Sequence, residues 1–166
     1  MRVRTTSPLA FAVALVLAGC GDDPPRAADS GRASVSTQTN GEPAATPGKG
    51  TKIAVGDSEF GTMLFGSNNQ AIYAFQNDTR GKSVCYGECA RAWPPVLTMG
   101  KPRAGKGVRK SLLGTVGRRN GSRQVTYAGK PLYFYAHEAP GEVRCHNVNL
   151  NGGFWWVVGP NGKRRP

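Results

Sequence analysis

The chain has 166 residues and a formal net charge of +12, from 22 basic against 10 acidic side chains, with two histidines and four cysteines. That length holds one ordinary domain beside flanking segments, and the basic balance points to anionic partners. No H-E-x-x-H pattern, phosphate-binding glycine loop or nucleophile–base arrangement is present, so the common hydrolase and nucleotide-binding chemistries lack their residues.

The first predicted element is an export signal over residues 1–19. Arg2 and Arg4 form a positive start, and an apolar run follows from Pro8 to Gly19. That run is about a dozen residues, too short for a bilayer-spanning helix of roughly 20 and suited to a signal-peptide core. It ends in Leu17-Ala18-Gly19-Cys20, which resembles the lipobox of bacterial lipoprotein precursors. The resemblance implies cleavage before Cys20, a diacylglycerol on its sulfur and stable anchoring by two or more acyl chains. A plain secretory signal with an incidental cysteine is the alternative. Gly21 stands where, in Gram-negative sorting, the inner-membrane retention signal has aspartate, so in a Gram-negative cell an outer membrane facing the periplasm is expected.

Residues 20–50 carry Ala, Ser, Thr, Gly and Pro with scattered charge and no apolar periodicity. A segment of that composition cannot bury enough surface to offset its ordering entropy, so a flexible tether is expected. The domain is expected over 51–162, with 163–166 as a basic tail. Its short strand-like runs are separated by Gly and Asn turns. Loss of Arg2 and Arg4 with the signal takes the net charge from +12 to +10. The excess concentrates in Lys101, Arg103, Lys106, Arg109, Lys110, Arg118, Arg119 and Arg123, with no acid among them. Such a stretch suits anionic envelope components, and it lacks the interleaved aromatics of a nucleic-acid groove; a solvated basic loop is the bland alternative.

The domain repeats itself. Aligning Tyr73 with Tyr133 places Asp78 on Glu138, Gly81 on Gly141 and Cys85 on Cys145, with Trp93 near the Trp155-Trp156 pair. Repeat one spans about 58–98 and repeat two about 111–160. Ahead of that register, Gly61-Thr62 in the first copy is set beside Gly114-Thr115 in the second. Asn120-Gly121 is expected as a hairpin turn, since both residues tolerate positive φ, and Ala128-Gly129 as a weaker one. The sum is an all-β antiparallel sandwich or small barrel of two pseudo-symmetric halves, with little helix. A short helical turn is expected between Cys85 and Trp93.

Tyr73-Ala74-Phe75-Gln76-Asn77-Asp78 resembles the Y-x4-D signature (Y-x-F-x-x-D) of the secreted tandem repeats found in bacterial lipoproteins. Cys85-x3-Cys89 followed by Ala92-Trp93-Pro94-Pro95 is similar to that family's C-x3-C…A-W-P-P stretch. Gly114-Thr115, Val125 to Tyr127, Gly129 to Tyr133 and Trp155 to Gly162 match its second copy. The resemblance covers nearly all of 58–162. It implies a secreted repeat of unknown function, with no substrate or cofactor to carry over. Glu138 in place of aspartate, and Cys145-His146, depart from the pattern.

Two roles stand open for the motif residues Tyr73, Phe75, Asp78, Tyr133, Tyr135 and Glu138. In the structural one, the rings fill the core and each carboxylate accepts hydrogen bonds from turn backbone N–H groups. In the functional one, Asp78 and Glu138 form a symmetric pair for metal or acid–base work. Among the cysteines, Cys85–Cys89 is the favoured disulfide, because one helical turn brings the Cα atoms to roughly 6 Å. Cys85–Cys145 comes second. A thiol left at Cys145 is read as a buried or partly oxidised cysteine, as a partner for a bond between molecules or, with His146, as a ligand of copper or zinc, a third ligand coming from His137, a methionine or Cys85/Cys89. The expected function is a non-enzymatic, cofactor-free envelope module, lipid-anchored, with a basic face. The alternative is a periplasmic metal-binding or thiol-redox protein using Cys145 and His146.

Overall fold

The computed structural model describes residues 50–165. Cys20, the signal segment 1–19 and nearly all of the tether lie outside the described residues. What is described is all-β with little helix, arranged as three three-stranded sheets and no closed barrel.

The first sheet is the hairpin of β1 (Lys52–Gly56) and β2 (Met63–Gly66), with β4 (Arg103–Ala104) parallel to β1 on its other side. The third sheet repeats this hairpin with β5 (Leu113–Gly117) and β6 (Arg123–Tyr127), extended by β7 (Lys130–Pro131). The middle sheet joins the halves: β3 (Tyr73–Phe75) from repeat one pairs antiparallel with β9 (Gly153–Val157) from repeat two, and β8 (Val148–Leu150) flanks β9. β9 shows the period of two plainly. Gly153, Trp155 and Val157 are buried, while Phe154 and Trp156 are partly exposed.

Each repeat closes inside the other. Val96, near the end of repeat one, donates to Leu132 O and accepts from Val125 N–H, at 2.9 and 2.7 Å. Val158, near the end of repeat two, accepts from Leu64 N–H at 2.8 Å. The matching hairpins show β1 equivalent to β5 and β2 to β6. Gly61-Thr62, in the β1–β2 loop, is therefore not the counterpart of Gly114-Thr115 in β5; a shared dipeptide misled the alignment there. The hydrophobic core draws Ile53, Leu64, Ile72 and Val96 from the first half of the domain and Val125, Tyr127, Leu132 and Val158 from the second. Burying these faces against each other is the main stabilising term.

Both expected hairpin turns are present, and the one with two left-handed residues is Ala128-Gly129. Ala128 and Gly129, with φ of 50° and 76°, both adopt the left-handed backbone between β6 and β7, the geometry whose twist matches paired strands. At the β5–β6 loop only Gly121 has positive φ, 82°. Arg118 and Ser122 close that loop through Arg118 N–H to Ser122 O at 2.9 Å, and Gly121 N–H donates to Arg118 O at 3.0 Å. This is a three-residue connection, in which a left-handed glycine follows an ordinary turn. The expected helical turn is α1 (Glu88–Ala92), whose last N–H bond runs from Trp93 to Cys89 O. A 3-10 turn over Lys110–Leu112 leads into β5.

Candidate functional site

Tyr73 and Tyr133 face each other across the pseudo-twofold axis, each donating its backbone N–H to the other's carbonyl at 2.9 Å. Their side chains then cross between repeats. The Tyr73 hydroxyl donates to Glu138 Oε1 at 2.6 Å, and the Tyr133 hydroxyl donates to Asp78 Oδ2 at 2.7 Å. Thus the tyrosine of each Y-x4-acid motif binds the acid of the other motif. Each acid also ties its own loop. Val84 N–H donates to Asp78 Oδ1 at 2.8 Å. Arg144 N–H and Cys145 N–H donate to Glu138 Oε1 at 2.6 and 3.2 Å. Both loops turn at a left-handed glycine, Gly81 at φ 72° and Gly141 at φ 86°.

Below the hydroxyls lies an aromatic core with the same symmetry. Trp93 and Trp155 stack with centroids 3.8 Å apart and planes 2° apart. Tyr73 meets Trp93 edge-on at 5.3 Å, and Tyr133 meets Trp155 edge-on at 5.1 Å. Phe75 stacks on Trp155 at 4.3 Å, and Tyr135 packs on Trp93 at 4.6 Å. Such ring pairs add to the area they bury. The sequence pattern places these rings in a core; it cannot say that Tyr73 reaches the acid of the other repeat.

The two halves differ in how the acid is compensated. In the first, Arg118 is only 8% exposed. Its guanidinium donates to Ser83 Oγ, Gln124 Oε1 and Cys85 O at 2.9, 2.7 and 2.8 Å, and Ser83 Oγ lies 2.7 Å from the Tyr133 hydroxyl. Arg118 therefore leaves the expected basic surface and serves as a buried cation behind Tyr133 and Asp78. Its planar fork suits three acceptors held in fixed directions. In the second half Glu138 is 7% exposed and its Oε2 has no hydrogen-bond partner among the described residues.

Burial raises the Asp78 carboxyl, opposed by the Val84 and Tyr133 hydrogen bonds and by Arg118. Burial likewise raises Glu138, opposed by Tyr73 and the Arg144 and Cys145 N–H groups. Burial, with the adjacent carboxylates, also pushes both tyrosines upward, so they remain donors. Acids raised above their ordinary 3.8 and 4.5 bind protons more readily in the folded than in the unfolded chain. Their contribution to stability is complete below the unfolded values and is lost as pH rises through the folded ones. Lowering pH from about 7 to about 5 should therefore raise the thermal midpoint of the wild type relative to an Asp78→Asn/Glu138→Gln variant. Half-buried Glu142, which is lowered by its Ala139 and Arg144 bonds, acts in the opposite direction. A difference that shrinks over this window would contradict the raised acids.

Cys85 and Cys89 form the disulfide, with Cα atoms 5.3 Å apart. Its short loop gives an entropic stabilisation of about 2 kcal/mol, and it fixes α1 ahead of Trp93. Cys145 is fully buried beside Tyr73, its N–H 3.4 Å from that hydroxyl. His146 lies against Phe60, at 4.4 Å between rings, and its Nδ1 accepts Val157 N–H at 3.3 Å. His137 is exposed near Tyr135. Among the described residues no group of three or more His, Cys, Asp or Glu is placed to hold a metal. Asp78 and Glu138 serve separate loops, and a cavity of about 230 Å³ lined by Lys52, Ala54, Phe65 and Ser67 includes neither.

Of the eight basic residues read from the sequence, Lys101, Arg103, Lys106, Arg109, Lys110, Arg119 and Arg123 are exposed. The ion pairs among the described residues, Arg91–Glu88 and Arg144–Glu142, involve none of them. Arg103 begins its strand beside Lys52, and Arg119 covers the Tyr86 ring at 4.5 Å. A family model described as a secreted repeat of unknown function matches residues 54–97 and 114–159, more than half of the chain. No curated protein and no solved structure matches.

Proposed function

Because the chain belongs to this family of secreted repeats of unknown function, we propose that it is a non-enzymatic binding module of the cell envelope. It is held to a membrane by lipid on Cys20 and presents residues 101–123 to an anionic partner. The outer membrane, facing the periplasm, is the proposed site, from Gly21 in the place of a retention aspartate.

The observation that carries this proposal is the exposed run of seven basic side chains that no carboxylate among the described residues pairs with. A surface of one sign keeps its field for an incoming partner. The use of both motif carboxylates as hydrogen-bond acceptors within the fold supports a binding rather than a catalytic role. It leaves no pair of acids facing one substrate. No resident cofactor is part of the proposal. Copper or zinc binding at Cys145 and His146 lacks a third ligand among the described residues.

The test is co-sedimentation of an unlipidated Cys20→Ser chain, lacking residues 1–19, with vesicles of neutral phospholipid, with and without phosphatidylglycerol. Each Lys or Arg near an anionic surface contributes about 1 kcal/mol. Replacing Lys101, Arg103 and Lys106 by alanine is therefore expected to weaken binding roughly a hundredfold. Binding should also fall with added salt. Equal retention of wild type and triple variant would remove the basic stretch from the function.

A further inference from the structure

Three cations far apart in sequence meet at a place the 101–123 stretch does not include. Lys130 follows the Ala128–Gly129 turn, and its Nζ donates to Gly162 O at 3.0 Å. That contact brings it to the C-terminal segment, where Arg164 pairs by a bridge with Val158 and lays its guanidinium over the Trp156 ring at 5.0 Å. Arg80, in the loop after Asp78, runs along the same turn. Gly81 N–H donates to Gly129 O at 3.2 Å, and a Cβ at Gly129 would lie 2.9 Å from Arg80 Cγ. Arg80 and Arg164 thus flank Lys130 from opposite ends of the domain's sequence.

No carboxylate pairs with any of the three among the described residues. Burial first, then Arg164 and Arg80, depress the Lys130 ammonium. Like charges gathered without a counterion disfavour the fold they sit in, and an anion placed among them turns that repulsion into attraction. Guanidinium groups bind phosphate oxygens in bidentate fashion, and an ammonium adds a point charge. A single carboxylate neutralises one of three cations, whereas a phosphate group offers more charge and more acceptors.

We propose that Arg80, Lys130 and Arg164 form a binding site for a phosphate-bearing anion, separate from the basic stretch. The shared chemistry is the phosphate oxygen, carried either by free phosphate or by a lipid headgroup.

The experiment measures the thermal midpoint of the unlipidated Cys20→Ser chain, lacking residues 1–19, in inorganic phosphate against chloride at equal ionic strength. In parallel it measures retention on vesicles with and without phosphatidylglycerol. Wild type, Lys130→Gln, Arg80→Gln and Arg164→Gln are compared with a Lys101→Gln/Arg103→Gln control. The affinity for at least one probe is expected to fall tenfold or more in each of the three site variants, whereas Lys101→Gln/Arg103→Gln is expected to keep wild-type stabilisation by inorganic phosphate and to lose retention on vesicles alone, through the basic stretch. Saturable stabilisation by inorganic phosphate identifies free phosphate; a site-dependent effect on vesicles alone identifies the headgroup. Without either probe, Arg80→Gln and Arg164→Gln are expected to hold or raise the midpoint, since each removes repulsion. If they lower it and leave the binding of both probes unchanged, the cluster is structural and the proposal fails. If the control variant alone loses binding, the basic stretch stands and this site does not.

Discussion

Replacing Glu138 by alanine is expected to lower the unfolding free energy by about 3 kcal/mol, measured by urea denaturation. The loss falls on groups that have nowhere else to turn. Tyr73 is fully buried and donates its hydroxyl to Glu138 at 2.6 Å. Cys145 N–H donates to the same oxygen in a buried setting, and Arg144 N–H does so at 2.6 Å. A buried donor left unmatched costs about 1–3 kcal/mol. The gain from no longer burying a carboxylate with one unmatched oxygen offsets part of this. Glu138→Gln keeps an acceptor oxygen in reach of all three donors and is expected to recover most of the loss. If Glu138→Ala is neutral while the protein stays folded, the carboxylate is not holding its loop.

Trp155→Ala is expected to cost about 3–5 kcal/mol, among the largest effects of any substitution in the domain. Trp155 is fully buried and touches Trp93, Phe75 and Tyr133 by ring contacts. Its removal leaves a cavity between repeats, where neither half can collapse without moving the β3–β9 pairing. The close Trp93–Trp155 stack also gives a spectroscopic readout. The near-ultraviolet circular dichroism of wild type should carry a strong tryptophan signal that is lost in Trp155→Phe, even where that variant folds. A variant within about 1 kcal/mol of wild type would show the aromatic core to be loosely packed.

The legible parts of the fold were those written in local chemistry. The Tyr73/Tyr133 register, the paired glycines at 81 and 141, the short helix and the Cys85–Cys89 spacing all carry their signal within a few residues. What was hidden depends on partners distant in the chain. A period of two says that Tyr73 faces inward, and it is silent on whether its hydroxyl meets Asp78 or Glu138. Arg118 reads as one more charge in a basic run, because its acceptors Ser83 and Cys85 come from the other repeat. The Arg80, Lys130 and Arg164 cluster spans three segments and leaves no contiguous pattern. Turn chemistry misled for a related reason: Asn-Gly has the stronger intrinsic preference, yet loop length gave the left-handed pair to Ala128-Gly129.

The crossed tyrosine–acid bonds are the claim on which the rest depends, and double-mutant cycles in urea denaturation test them most directly. Cycles of Tyr133→Phe with Asp78→Asn and of Tyr73→Phe with Glu138→Gln are expected to show coupling of about 1–3 kcal/mol. Cycles within one motif, Tyr73 with Asp78 and Tyr133 with Glu138, are expected to be additive within about 0.5 kcal/mol. Stronger coupling within a motif than across the two repeats would contradict the crossed arrangement and return each Y-x4-acid motif to its own half.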